Sequence, residues 1–229
     1  MLIQRASFFY DAVCAVLRRQ AARHGAPAEA RESIDALGAP RTLAVVTGQQ
    51  TGLFGGPLYT LYKALTAVRL AEALRAELGR PVVPIFWMAS EDHDVAEADH
   101  SHFLDRAGDL LTIRNDAWAE PVGFMPANLR LGPGIRDTLA RARACLPETE
   151  FLAPVWAALA AAYAPEATLA EAFARWMAHL CGRFGLILVD GADPELKPLA
   201  ARIFQQEVAE APRSSRMILE VSAALGYSR

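Results

Sequence analysis

Three apolar runs, and what lies between them, predict an α/β fold with a Rossmann-like core of parallel strands and flanking helices. Leu43-Ala44-Val45-Val46, the run from Pro81 to Met88 and Gly185-Leu186-Ile187-Leu188-Val189 are short, rich in β-branched residues and uncharged. Parallel strands covered on both faces read this way. A long helical pattern separates the first two, and strand alternating with helix predicts a parallel sheet with helices on its faces.

In chain order, residues 7 to 37 read as two helices broken near Gly25-Ala26-Pro27, with Val13, Val16 and Leu17 on an apolar face. The first strand runs from about Thr42 to Thr47. A nine-residue segment from Gly48 to Gly56 then holds four glycines and no charge. Pro57 suits the first turn of a helix, where a missing donor costs nothing. That helix runs to about Leu78, with Leu58, Leu61, Leu65 and Val68 expected on the stripe facing the sheet and Tyr59, Thr60 and Lys63 together on another face. After the second strand, Phe103-Leu104 and Leu110 to Ile113 look like short strand pieces. Pro121 to Gly134 reads as a surface insertion, and helical patterns recur at Ile135–Cys145, Phe151–Tyr163 and Leu169–Phe184. After the third strand, Asp193 is expected to cap a helix that Pro194 opens. The expected organisation is an N-terminal helical segment (1–40), the first part of the core (41–113), a small α-rich insertion (114–184) and a continuation of the core (185–229).

Composition narrows the function. With 229 residues and 53% apolar content the chain buries a core, and a net charge of −3 offers no footprint for nucleic acid or an anionic membrane. No run is long enough to span a bilayer. Cys14, Cys145 and Cys181 are far apart and not in CxxC, which fits reduced thiols in a cytoplasmic protein. Only Lys63 and Lys197 are lysines among 23 basic residues, so Lys63, one turn into the helix after the glycines, marks a place where a compact point charge reaches a phosphate or carboxylate.

Two blocks carry the chemistry. Strand, glycine turn and helix start make an anion site, because free amides and the helix dipole point the same way. Gly48, Gly52, Gly55 and Gly56 allow close backbone approach to a ligand, and Gln49 and Gln50 add neutral donors and acceptors. Tyr59 and Thr60 read equally as ligand-facing or as core. The second block, Glu91 to His102, packs five carboxylates and three histidines into twelve residues. Glu91, Asp92 and Asp94 suit a ligand amine or hydroxyls, and His93 or one of these acids suits a proton acceptor. His100, His102, His24 and His179 read as structural. A competing use is metal binding through His93, Asp94, His100 and His102, without a recognised ligand spacing. Ligands in open α/β sheets sit beyond the carboxyl ends of the strands, so the two blocks are expected to face each other across one crevice. Asp190, at the end of the third strand, joins the site candidates.

The run Val45-Val46-Thr47-Gly48-Gln49-Gln50, Gly52-Leu53-Phe54-Gly55-Gly56-Pro57-Leu58-Tyr59-Thr60-Leu61-Tyr62-Lys63-Ala64 and the later Phe86-Trp87-Met88-Ala89-Ser90-Glu91-Asp92-His93-Asp94 resemble the bacillithiol biosynthesis cysteine-adding enzyme family. The resemblance implies a Rossmann-like core akin to the nucleotidyltransferase-like class, with Pro57-Leu58-Tyr59-Thr60 standing where that class has HxGH; the two histidines are absent. It implies a ligase that joins the cysteine carboxyl to the amine of glucosaminyl-malate. Its catalytic candidates here are Lys63, His93 and Asp94, with ATP as the activating nucleotide and no metal beyond magnesium carried with it. Members are longer, so the chain reads as an incomplete portion. The resemblance places a coiled coil and a homodimer contact largely in what lies beyond it, and leaves an apolar sheet edge for later strands. Alternatives from the residues are a metal-dependent hydrolase or transferase, and a non-catalytic nucleotide-binding fragment.

Overall fold

The computed structural model describes residues 2–92, 94–116, 118–119 and 125–227. The chain divides into two compact units, one ending at Ala192 and one starting at Asp193. The first opens with helices α1 (Leu2–Arg23) and α2 (Ala28–Leu37), then strand β1 (Leu43–Gln50), helix α3 (Leu58–Leu78) and strand β2 (Val82–Ala89). It continues through the one-turn helix α4 (Val95–Ala98), strands β3 (His100–Leu104) and β4 (Leu110–Arg114), helices α5 (Ile135–Cys145), α6 (Leu152–Ala162) and α7 (Leu169–Cys181), and strand β5 (Ile187–Asp190). The second unit holds α8 (Lys197–Ala224), a 28-residue helix with no buried residue. No described helix is long and apolar enough to cross a membrane.

The parallel α/β core expected from the three apolar runs is present. β1, β2 and β5 form one sheet in that order, with Leu43 opposite Val82 and Met88 opposite Asp190. β2 lies between two strands, and Val82, Val83, Phe86 and Met88 are buried. β1 lies at the edge, with Leu43 37% and Val46 61% exposed. β5 forms the other edge of this sheet.

Other expectations need correction. α7 is part of the core and not of a connecting region: Phe173, Met177 and Cys181 bury themselves with Ala64, Val68, Phe86 and Met88. The strand pieces after β2 form an antiparallel sheet of their own, reaching back to His100. On α3 the buried stripe is Thr60, Ala64, Ala67, Val68 and Ala71. Leu58 stands 65% exposed, and Thr60 belongs to the buried face rather than with Tyr59 and Lys63. Of the expected stripe, Val68 is buried with Phe86 and Met88, and Leu61 and Leu65 pack against that cluster half-buried, so only Leu58 departs. Asp193 takes the Glu195 N–H at 3.0 Å in a turn that precedes α8, whose first residue is Lys197 rather than Pro194.

A second apolar cluster lies under the glycine segment, where Leu53, Leu131, Ile135, Leu159, Tyr163, Leu169 and Trp176 are buried together. The helices α5 to α7 thus serve as a floor for the turn after β1.

Candidate active site

β1 and β2 run parallel, so Gln50 and Ala89 end at the same rim. The turn after each strand begins there, and the two blocks meet: Gln50 Nε2 donates to Asp92 Oδ2 at 2.6 Å. Beside this bridge opens a cavity of ≈ 570 Å³, walled by Gln49, Gln50 and the start of α3 (Gly56, Pro57, Leu58 and Tyr59) on one side. Glu97, His100, Ser101 and His102 form the other wall.

The first wall is built by packing. A Cβ on Gly48 would stand 2.6 Å from the carbonyl oxygen of Trp87 on the paired strand, so β1 and β2 approach too closely there for any side chain. Gly55 has φ +97°, and its Cβ would fall 3.1 Å from Trp176. Gly52 and Gly56 touch each other in the same turn. The fully buried Tyr163 hydroxyl donates to the Gly52 carbonyl and accepts the Gly55 N–H, both at 3.0 Å. The Gly56 N–H goes to the Leu53 carbonyl at 3.0 Å. Between them Phe54 takes a left-handed backbone (φ 55°), its ring edge-on to Tyr163 at 5.2 Å. The amides of Gly55 and Gly56 are therefore occupied by the protein itself, and close packing accounts for glycine at Gly48, Gly52 and Gly55.

The start of α3 remains open for a ligand. Its N-cap position, Pro57, gives no side-chain cap; of the first-turn amides, which have no partner within a helix, that of Thr60 goes to the Pro57 carbonyl at 2.9 Å. Thr60 is 1% exposed, and its Oγ1 has no hydrogen-bond partner among the described residues; it lies 3.5 Å from where a Gly56 Cβ would sit. Tyr59, 51% exposed, takes the Gln49 Nε2–H on its hydroxyl at 3.3 Å, which resolves it as a cavity residue and not core. Lys63 does not line the cavity. From the outer side of the turn it donates to the Gly48 carbonyl at 3.1 Å and to Gln49 Oε1 at 2.9 Å, in a neighbouring groove along β1.

The acids divide. Asp92 is half-buried and also accepts the Asp94 N–H at 3.1 Å. Asp94 caps α4 through the Glu97 N–H at 3.3 Å, and Glu91 is exposed. His93 lies outside the described residues. Asp190 is spent on architecture: its carboxylate bonds Ser90 and the Ala192 N–H, and Gln20 of α1 holds its backbone N–H at 2.9 Å. Among the described residues no group of three or more His, Cys, Asp and Glu is placed to hold a metal ion.

The second wall holds the residues sequence reasoning passed over. His100 and His102 sit two apart on β3, hence on one face, with ring centroids 5.0 Å apart. His100 Nδ1 meets Asp99 Oδ1 at 3.0 Å, and Arg114 of β4 bonds the other oxygen of Asp99. His102 Nδ1 lies 3.0 Å from Thr112 Oγ1, and Ser101 Oγ donates to the Leu53 carbonyl at 2.7 Å. The available signal was the alternation His-Ser-His-Phe-Leu, a strand period starting inside the acidic stretch.

Comparison with known proteins agrees with this architecture. The family described as bacillithiol biosynthesis BshC, N-terminal Rossmann-like domain, matches residues 2–228. A Chlorobium phaeobacteroides protein provisionally named cysteine ligase BshC is 39% identical over 220 residues, covering 96% of this chain and 39% of that protein. Proteins of the same name from Salinibacter ruber and Shouchella clausii are each 38% identical, over 88% and 90% of this chain and 36% and 38% of theirs. The chain spans about two-fifths of the length of the curated relatives it matches. It belongs to the BshC family, in the family's N-terminal Rossmann-like domain.

Proposed function

We propose that this chain carries the ligation site of a cysteine ligase of bacillithiol biosynthesis, joining the carboxyl of cysteine to the amine of glucosaminyl-malate with ATP as activator. The observation that carries the reading is the Gln50–Asp92 hydrogen bond. It closes the glycine turn against the acidic segment and brings two distant stretches of sequence to one cavity, both within the residues the family model matches.

The residues fit an anionic group at the start of α3. The helix end without a side-chain cap is complementary to phosphoryl oxygens, and behind it lies the buried Thr60 hydroxyl, which has no hydrogen-bond partner among the described residues. When bound, ATP supplies the activation that makes a free carboxylate reactive toward an amine. The chain's own part is to place and shield the reactants. Tyr59 and Gln49 bound the cavity beside the helix end, and Glu97 on the opposite wall offers a carboxylate to an ammonium or hydroxyl group. Lys63, clamped to the turn from outside, braces Gln49 and adds positive potential near the rim.

The test is cysteinyl-amide formation from cysteine, glucosaminyl-malate and MgATP, read by mass spectrometry, in a version extended to the relatives' length. Gln50→Ala and Asp92→Asn are expected to slow it at least tenfold; full activity in both would overturn the reading.

A further inference from the structure

We infer that His100, rather than Asp92 or Asp94, is the proton acceptor of this cavity, positioned by Asp99 and Arg114. The inference rests on the ligase reading above. Amide formation needs the attacking amine without its extra proton, so the cavity must offer a base. Asp92 and Asp94 already accept backbone or side-chain donors. On the β3 wall the situation differs. The Asp99 carboxylate, 15% exposed and bonded on its second oxygen by Arg114, can only accept. The ring nitrogen it meets, Nδ1 of His100, must therefore donate. In the neutral ring this leaves the lone pair on Nε2, the nitrogen left for a ligand on a residue that lines the cavity. The groups around this ring are Asp99, Arg114 across the hairpin, His102 on the same face, and Glu97 at the cavity edge.

The step balances. The substrate ammonium first gives its extra proton to His100 Nε2; the freed amine nitrogen forms the new C–N bond to the activated cysteine carbonyl, and the second N–H proton leaves with the departing phosphate oxygen. The C–O bond to the activating phosphoryl group breaks, its electron pair leaving with the phosphate oxygen. The resulting imidazolium faces Asp99, which stabilises it through Nδ1–H, and it returns the proton to solvent. Asp99 and Arg114 act only through His100, fixing its tautomer and ring orientation.

The test pairs two readouts on the full chain. Long-range 1H–15N NMR of the imidazole nitrogens is expected to show His100 as the Nδ1–H form in the wild type and to lose that form in Asp99→Asn. Turnover of cysteine, ATP and glucosaminyl-malate is expected to fall about 100-fold in kcat in His100→Ala, with KM within about twofold and partial rescue by added imidazole. An Nε2–H ring in the wild type overturns the assignment, as does unchanged turnover in His100→Ala. If the wild type, extended to the relatives' length, forms no amide, the ligase reading fails and the His100 assignment fails with it; an active wild type with unchanged turnover in His100→Ala sinks the His100 assignment alone.

Discussion

The two walls of the cavity are conspicuous in sequence for opposite reasons. On the glycine wall the glycines have packing reasons: Gly48 lets Trp87 approach, Gly55 makes room for Trp176, and Tyr163 occupies the turn's polar groups. On the histidine wall the ordinary-looking alternation of a short strand presents two imidazoles to the cavity, one of them held by a carboxylate. The difference teaches that a motif dense in glycine can be the frame of a site while its chemistry sits on the element opposite. Substitutions in the frame should cost stability, and substitutions on the histidine wall should cost function at nearly constant stability.

The largest effect is expected at Gly48. Gly48→Val places a branched side chain against the Trp87 carbonyl and should destabilise the chain by more than about 3 kcal/mol in urea unfolding; a smaller loss would break the claim that close strand approach fixes this glycine. Tyr163→Phe strips a buried hydroxyl from the Gly52 carbonyl and the Gly55 amide, and should cost about 2–4 kcal/mol in the same measurement. A third prediction uses a site outside both walls. Burial pushes the Cys181 thiol up to about 11 from its usual 9.0. The folded state thus keeps its proton where the unfolded chain has lost it, so the sign is a loss of stability as pH rises from 9 toward 11. Comparing wild type with Cys181→Ala over that window should show about 2–3 kcal/mol less pH dependence in the variant. Gln50→Ala removes the bridge between the walls and should cost about 1 kcal/mol. His102→Ala, on an exposed side chain, should leave stability within about 0.5 kcal/mol; a larger change would make the histidine wall structural too.

Much of the fold was legible because the strands of its parallel sheet are short apolar runs set off by glycine or proline. The same runs did not reveal their neighbours, so β2 and β1 read alike although one is buried and the other is an edge. The turn's dependence on Tyr163 was invisible, since the partners lie more than a hundred residues apart and a tyrosine ending an apolar helix has no pattern of its own. The convergence of the glycine turn with Asp92 was legible, because parallel strands deliver the loops at their carboxyl ends to one rim. Thr60 and Lys63, expected together on one face of α3, part company: Thr60 joins the alanines of the buried stripe, and Lys63 lies on the outer side of the turn. His100 and His102 were masked by their acidic surroundings, where a helix of four residues is too short to show a period.

The central claim is that ligands enter where Gln50 meets Asp92. Amide chemical-shift mapping of the chain with MgATP and cysteine tests it most directly. The account predicts shifts at Gln49, Gln50, Leu58, Tyr59 and Glu97 to His102. Shifts gathered instead around Glu29, Arg75, Val82 and Gly185, which line a cavity of ≈ 500 Å³ at the opposite end of the strands, would contradict it.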